Sequence, residues 1–246
     1  MKFKTGLVLS GGGTRGFAHI GALKAMEEAD LQVDVISGTS AGSIVGAMYA
    51  DGIPADKMLE LFSKYPIRKL SRPSFSRKGI LNFKGLQKQI QKHLKADTFE
   101  ELKYPLYVCI CNLTNGTVKY LNTGPLAPAL MASASIPLMF KPVNMEDGLY
   151  VDGAVFDNFP IKPLREQCEQ IIGINIMPHS TVYNFIGIIG TGMRTFQLLM
   201  NAADYDSWKK CDLLIAPEGL ADYGYLGHRK GMEMYTLGYE AAKKVL

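Results

Sequence analysis

Two glycine-rich turns near the start of the chain restrict its fold more than any other feature. Residues 11–16, Gly-Gly-Gly-Thr-Arg-Gly, follow a strand-like apolar run over 4–10 and precede apolar residues at helical spacing over 15–29. Residues 38–42, Gly-Thr-Ser-Ala-Gly, again stand between an apolar run and a helix-like stretch. The order of strand, glycine turn and helix thus occurs two times in succession. This order is typical of a parallel α/β sheet.

The remaining chain is interpreted as part of the same domain. A length of 246 residues, with 47% hydrophobic and 20% charged residues, suits one globular domain over 1–246. Further strands are expected at 105–112, 118–121, 140–145, 149–151, 171–176 and 213–216, and further helices at 54–61, 83–94, 126–134 and 161–167. The apolar residues within 184–200 are expected to pack as core rather than to line an acyl channel.

The segment over 61–96 is strongly basic. It contains ten Lys or Arg and no Asp or Glu, whereas the whole chain has a net charge of +4. We expect a cap-like insertion over one end of the sheet, irregular over 65–82, because the segment has too few apolar residues for its own core. Its charge indicates nucleic acid or a phospholipid surface as partner, or simply a solvated helix face.

Cysteine usage and hydropathy indicate the compartment. The four cysteines form no Cys-x-x-Cys pair, and no His cluster accompanies them, so we expect reduced thiols and no metal site. The apolar run after the basic N-terminus is too short for a signal peptide, and no apolar stretch is long enough to span a bilayer. The sequence thus predicts a cytoplasmic protein.

The first glycine turn has three interpretations. Its Gly-x-Gly-x-x-Gly pattern matches a dinucleotide-binding turn, but that site needs an acid at the end of the second strand, and Asp34 stands near the beginning of that strand. A second interpretation is an anion cradle, in which backbone N–H groups at a helix N-terminus hold a phosphate or an oxyanion. The third is a tight turn without a ligand. Arg15 either adds charge to the cradle or holds the loop.

The second glycine turn supplies a candidate nucleophile. Ser40 stands at the centre of Gly-x-Ser-x-Gly between a strand and a helix, the context in which this motif exposes a reactive serine. Gly38 and Gly42 are the small neighbours that let the sharp turn form, and the dipole of the following helix favours developing negative charge.

A nucleophilic serine needs a base, and the residues alone leave two candidates. His179 and His228 follow the serine as in α/β-hydrolases, although Ser40 comes after only two strands, earlier than in that fold. His19 and His93 are expected on helix surfaces. Asp152 ends a short strand and is followed by a small residue, but Asp-Gly is also an ordinary turn.

Four motifs together resemble the patatin-like phospholipase family. They are the two glycine turns, Ala-Ser-Ile-Pro at 134–137 and Asp-Gly-Ala at 152–154, followed by Asn158 and Pro160. Each motif is weak alone, whereas all four in this order are specific. The resemblance covers most of the chain through about Pro160, and it departs from the family where many members have Asp-Gly-Gly instead of Asp-Gly-Ala.

The resemblance implies a three-layer α/β/α fold with a central, mostly parallel sheet, and a serine lipid acyl-hydrolase of phospholipase A, lysophospholipase or esterase type. In such an enzyme Ser40 would attack the ester carbonyl, and Asp152 would accept its proton without a histidine. The N–H groups around Gly11, Gly12 and Gly13 would stabilise the oxyanion. The supporting residues would be Arg15, Gly38, Gly42 and Gly153.

The resemblance also implies which partners to expect. The substrate would be a phospholipid or another acyl ester, with neither a cofactor nor a metal ion nor nucleic acid required. Peripheral contact with an anionic membrane through the basic segment is expected as well. A non-catalytic lipid- or acyl-binding module of the same fold, and an acyltransferase that uses the same acyl-serine, are the alternatives.

Overall fold

The computed structural model describes residues 2–65, 70, 72–76, 79–177, 187–204, 206–224 and 229–246. The strands are β1 (Phe3–Leu9), β2 (Val35–Thr39), β3 (Arg72–Ser76), β4 (Gly79–Asn82), β5 (Leu106–Asn112), β6 (Thr117–Leu121), β7 (Val143–Met145), β8 (Gly148–Asp152), β9 (Cys168–Ile174) and β10 (Leu213–Ile215). The helices are α1 (Gly16–Glu28), α2 (Ala41–Ala50), α3 (Ala55–Lys64), α4 (Lys84–His93), α5 (Leu126–Ser133), α6 (Lys162–Arg165), α7 (Gly187–Asp204) and α8 (Gly231–Lys243).

The central sheet of the described residues has eight strands, in the order β10-β9-β1-β2-β5-β8-β7, with β6 also paired to β5. The first five strands of this order run parallel, and β6, β7 and β8 join by antiparallel pairing. Leu9 at the end of β1 stands beside Gly38 near the end of β2. The two glycine turns therefore leave the sheet at the same edge, where parallel sheets form their ligand sites.

Helices cover both faces of this sheet. Leu7 and Leu9 of β1 belong to the larger apolar core, which also takes in residues of α1, α2, α5 and α8. Val8 points the other way, into a smaller cluster with Phe159 and with Leu164 of α6. Successive strand residues thus enter different cores, as the strand period requires. The predicted α/β/α architecture with its central sheet is confirmed.

The structure differs from the sequence-based expectation in three places. Residues 65–82, expected to be irregular, include the antiparallel hairpin of β3 and β4. Helix α8 was not predicted at all. Leu198 and Leu199 of α7, expected in the core, are 51% and 62% exposed. Of the other core candidates, 184–186 lie outside the described residues, as do the side chains of 188, 189 and 193.

The basic segment attaches through backbone hydrogen bonds to residues 139–141, which precede β7. Leu81 donates its N–H to the carbonyl of Met139 at 2.9 Å and accepts from the N–H of Lys141 at 2.9 Å. Leu86 and Ile90 of α4 are buried in the larger core. The segment therefore packs against the molecule with its apolar residues. In the described part of the chain, no helix combines the length and apolarity that crossing a membrane requires.

Helices α1 and α8 pack so closely that only glycine fits at two of their contact positions, Gly21 and Gly238. A Cβ at Gly21 would lie 2.0 Å from the carbonyl oxygen of Tyr235, and a Cβ at Gly238 would lie 2.0 Å from that of Ala18. Both obstacles are backbone atoms, which cannot rotate away as a side chain can. The C-terminal helix is therefore part of the core that covers α1.

Replacing Gly238 by Ala should destabilise the fold. Overpacking against backbone costs about 3 kcal/mol, and the better helix propensity of Ala returns about 1 kcal/mol, so we expect a net loss of about 2 kcal/mol. Urea denaturation would measure the free energy of unfolding. Gly224→Ala is the control, because a Cβ there meets nothing within 4 Å. A Gly238→Ala variant as stable as wild type would contradict the close packing.

Candidate active site

The sharp turn before α2 exists because two glycines stand where no side chain fits. A Cβ at Gly42 would lie 2.3 Å from the carbonyl oxygen of Leu9, and one at Gly38 would lie 2.6 Å from that of Gly42. Helix α2 therefore begins directly against the ends of β1 and β2. Both glycines, which flank Ser40 in the sequence, thus stand where only a residue without a side chain fits.

Ser40 occupies the turn itself in a strained backbone conformation. Its φ is +53° and its ψ is −120°, values that a residue with a side chain adopts at a cost of about 1–3 kcal/mol. The Ser40 N–H donates to the Ser133 hydroxyl at 2.8 Å, and that hydroxyl donates to the carbonyl of Cys109 at 2.7 Å. The Thr39 hydroxyl donates to the carbonyl of Asp157 at 2.9 Å. These buried hydrogen bonds hold the turn in place.

Asp152 reaches the same place from β8. Its N–H donates to the carbonyl of Ser135 at 3.0 Å, and its carboxylate accepts from the N–H of Ala154 at 3.0 Å. The Ser40 side chain lies close enough to lower the pKa of this carboxyl. The carboxyl is almost completely buried, with 1% of the residue exposed. A Cβ at Gly153 would lie 2.5 Å from the carbonyl oxygen of Cys109, so the small residue lets β8 turn close to β5.

Burial changes the acidity of two carboxyls at this site. It raises the pKa of Asp152 to about 7, against the opposing effect of the hydrogen bond from Ala154 and of the Ser40 side chain. It also raises the pKa of Asp157 to about 6, although Tyr120 donates a hydrogen bond to that carboxyl. Sequence reasoning missed Asp157 and Ser133, because neither belongs to a motif whose spacing marks it.

The first glycine turn faces Ser40 with part of its backbone. The Gly11 N–H donates to the carbonyl of Asn158 at 3.0 Å. Among the described residues, the N–H groups of Gly12 and Gly13 have no hydrogen-bond acceptor. Both glycines line a small cavity together with Ser40 and Asp152. These two N–H groups are therefore available to a ligand, whereas the Gly11 N–H is already used.

The dinucleotide interpretation of this turn does not fit the structure. Asp34 lies at the opposite edge of the sheet, where its carboxylate accepts hydrogen bonds from the N–H groups of Lys4 and Thr5. Arg15 is buried with 2% exposure and donates from Nε to the carbonyl of Tyr223 at 2.9 Å. Arg15 therefore ties the glycine turn to the C-terminal part of the chain.

Among the described residues, no hydrogen bond joins His19 or His93 to Ser40. His19 was expected on a helix surface, and this expectation is wrong, because the side chain is fully buried and Nε2 lies 2.8 Å from the carbonyl oxygen of Ser10. Burial lowers the pKa of His19 to about 4. His93 is half-buried at the end of α4, with its ring 5.5 Å from that of Tyr65. His179 and His228 lie outside the described residues.

A large apolar cavity opens from Ser40 under the basic segment. It encloses about 1100 Å³ of empty space, including its mouth. Among its lining residues are Phe17, Ile44, Met48, Phe62, Leu86 and Ile90. A cavity of this character suits the burial of an apolar ligand group.

These features define an α/β protein whose serine, on a strand-to-helix turn, lies between a buried carboxylate and an apolar cavity. The patatin-like phospholipase family model matches residues 7–165, which is more than half of the chain. The chain therefore belongs to the patatin-like phospholipase family, as its motifs predicted.

Individual relatives agree with this assignment. An uncharacterized NTE family protein of Mycobacterium bovis is 29% identical over 163 residues, which cover 65% of this chain and 45% of the relative. Lysophospholipase NTE1 of Cryptococcus neoformans is 33% identical over 167 residues, which cover 65% of this chain and 10% of that enzyme. The match thus spans less than half the length of either relative.

The solved structure of VipD from Legionella pneumophila resembles this chain in fold. The two superpose with a TM-score of 0.59 over 99% of this chain and 66% of VipD, at 15% sequence identity. The similarity extends beyond residue 165, where the match to the family model ends. It therefore supports the topology of the C-terminal strands and helices.

Replacing Asp152 by Asn should stabilise the protein more as pH rises. Between about pH 4, the pKa of an unfolded Asp, and about pH 7, the native carboxyl holds a proton that the unfolded chain has released. The wild-type free energy of unfolding therefore falls with pH across this window, by on the order of 4 kcal/mol from this group. The amide of the Asp152→Asn variant cannot ionise, so the variant lacks that loss.

Urea denaturation of wild type and Asp152→Asn at pH 5 and pH 8 would measure this difference. Asp157 contributes to the pH dependence of both proteins, and the comparison removes its effect. Asp147→Asn is the matched control, since its exposed carboxylate is paired with Lys119 and its pKa is lowered, so the sign reverses. An equal pH dependence in wild type and Asp152→Asn would contradict the raised pKa.

Proposed function

We propose that this protein is a serine lipid acyl-hydrolase in which Ser40 is the nucleophile and Asp152 is the base. The observation that carries the proposal is that Ser40 and the buried Asp152 carboxyl line the same small cavity, close enough for the Ser40 side chain to lower the pKa of Asp152. A base works best when its pKa lies near the pH of operation, and burial brings the pKa of Asp152 to about 7. The apolar cavity beside Ser40 supports a lipid acyl chain as the group transferred.

The first step forms an acyl-serine. Ser40 Oγ attacks the ester carbonyl carbon while its proton passes to the Asp152 carboxylate, and the carbonyl electron pair moves onto oxygen. The N–H groups of Gly12 and Gly13 are the available donors to this oxyanion, and one such donor is worth about 3 kcal/mol in the transition state. The tetrahedral intermediate then expels the alcohol, which takes the proton back from Asp152.

The second step releases the acid by the reverse sequence. Water gives a proton to Asp152 and attacks the acyl carbonyl, and the second intermediate expels Ser40 Oγ, which recovers its proton. The acyl chain remains in the apolar cavity throughout. An alcohol in place of water would make the same intermediate an acyl donor, so acyl transfer is the alternative outcome of this chemistry.

Alanine at Ser40 and asparagine at Asp152 should each abolish turnover. We expect kcat/KM on p-nitrophenyl esters to fall by on the order of a thousandfold or more, because the nucleophile or its base is missing. Labelling by a fluorophosphonate probe should be lost in Ser40→Ala. Ser63→Ala and Asp147→Asn, both on the surface, are controls that keep wild-type activity.

The outcomes separate three functions. Retained activity in Ser40→Ala would exclude Ser40 as the nucleophile. A wild-type protein that neither labels nor turns over esters would favour a non-catalytic acyl-binding module. Transfer of the acyl group to an added alcohol in preference to water would favour an acyltransferase.

For the hydrolase, the wild-type kcat/KM should also rise with pH through about 7, as Asp152 loses its proton.

The basic segment supports a peripheral membrane contact as part of this function in the cytoplasm. Lys84, Lys88 and Lys92 follow each other at four-residue spacing along α4, so they share one face, and all three are exposed. Leu86 and Ile90 on the same helix are buried. Basic residues near an anionic membrane contribute about 1 kcal/mol each to binding.

Charge reversal of this face should weaken binding to anionic vesicles. We expect Lys84→Glu, Lys88→Glu and Lys92→Glu together to lower the partition coefficient on phosphatidylserine-containing vesicles by at least about tenfold, measured by co-sedimentation at low salt. Vesicles of phosphatidylcholine alone are the lipid control, and Lys243→Glu in α8 is the protein control. Unchanged binding to the anionic vesicles would contradict a role of α4 at the membrane.

A further inference from the structure

Helix α4 presents two polar side chains to the apolar cavity. Its cavity-lining residues Leu86, Gln89, Ile90 and His93 recur at three- and four-residue spacing, so they form one face of the helix. Two of them are apolar, as the cavity requires. Gln89 and His93 are not, and at i and i+4 they are neighbours on that face.

Both polar side chains hold an atom that lacks a hydrogen bond. Gln89 Oε1 and His93 Nε2 are inaccessible to solvent and have no partner among the described residues. Buried polar atoms in proteins are nearly always paired, because leaving one unpaired costs free energy. Because both residues line the cavity, rotation of their side chains would bring the two unpaired atoms to a polar group of a bound ligand.

The charge state of the wall restricts that group. Desolvation lowers the pKa of His93, and the nearby Lys92, Lys57 and Lys64 lower it further, so the imidazole is neutral near neutral pH. A neutral imidazole has one N–H donor and one acceptor nitrogen, and a carboxamide has an NH2 group that donates and a carbonyl oxygen that accepts. The described residues that line the cavity include no Lys or Arg, so a carboxylate would lose its hydration there without a direct ion pair. A hydroxyl both donates and accepts at a much smaller desolvation cost.

We propose that the cavity selects acyl chains that carry a hydroxyl group at the carbon next to Gln89 and His93. With both side chains rotated toward the cavity, the chain hydroxyl donates to Gln89 Oε1 and accepts from His93 Nε2–H. The substrate class is therefore esters of hydroxylated fatty acids. This inference rests on the proposed function, because it places the acyl chain of the Ser40 ester in the cavity.

The same pair disfavours an unsubstituted chain. A site built to hydrogen-bond a hydroxyl discriminates against the analogue that lacks it, since its own polar groups are then left unpaired. The rest of the cavity wall offers mainly apolar contacts, which both chains make equally well. Discrimination should therefore depend on the position of the hydroxyl along the chain and on these two side chains.

The test compares p-nitrophenyl stearate with esters of hydroxystearic acids that carry the hydroxyl at successive carbons. For wild type we expect kcat/KM to be about tenfold higher for the matching isomer than for stearate. Gln89→Met and His93→Phe should each bring this ratio close to one. Gln87→Met and Gln91→Met, on exposed positions of the same helix, should keep the wild-type ratio.

A binding assay separates this inference from the proposed hydrolysis. Displacement of a fluorescent fatty acid by stearic and hydroxystearic acids would be measured on Ser40→Ala and on Ser40→Ala/Gln89→Met. Preference for a hydroxylated acid in the first protein and not in the second supports the inference even if no ester is hydrolysed. Equal affinity for all acids, or equal loss of preference with Gln87→Met, would overturn it.

Discussion

The close approach of Gly42 to the carbonyl oxygens of Leu9 and Ser10 is the constraint on which the site depends. Without a Cβ at this position, α2 begins against the end of β1, and the two glycine turns become neighbours. The strained backbone of Ser40 follows from that placement. Hydrogen bonds from Ser40 to Ser133 and from Thr39 to Asp157 offset the strain, so distant parts of the chain hold the turn.

The buried carboxyl of Asp152 connects stability with chemistry. Burial disfavours its charged form, which destabilises the native protein at neutral pH, and the same effect gives the carboxylate a greater affinity for a proton. A solvated aspartate would destabilise the fold less, but in the proposed mechanism it would be a weaker base for the serine hydroxyl. Functional residues often lower the stability of the native protein, and the rest of the fold offsets that loss. The buried Asp152 carboxyl fits this description.

The sequence predicted the parts of the fold and site that depend on local pattern. The two glycine turns, their flanking strands and helices, and Ser40 at the strand end all follow from spacing along the chain. Asp152 could be singled out from the sequence only by the order of several motifs. The dipeptide alone is not enough, because Asp147-Gly148 shows that Asp-Gly also makes an ordinary turn. Ser133 and Asp157 were missed because their roles arise from contacts with residues far away in sequence.

The buried state of His19 could not be predicted for the same reason. The pattern of α1 alone does not show that a second helix covers it, and α8 lies at the other end of the chain. Tertiary packing buries most of α1, including its polar residue His19, whatever the pattern of the helix alone would indicate. The cavity-facing positions of Gln89 and His93 likewise depend on how the basic segment packs against the rest of the core.

The pairing of early with late elements also sets the order in which this protein can fold. Strand β1 lies between β2 and β9, with Phe3 beside Cys168, and α1 is covered by α8. During synthesis the N-terminal half therefore leaves the ribosome with one edge of β1 and one face of α1 still open. Such high contact order slows folding, and the nascent chain exposes an apolar surface on which chaperones would act.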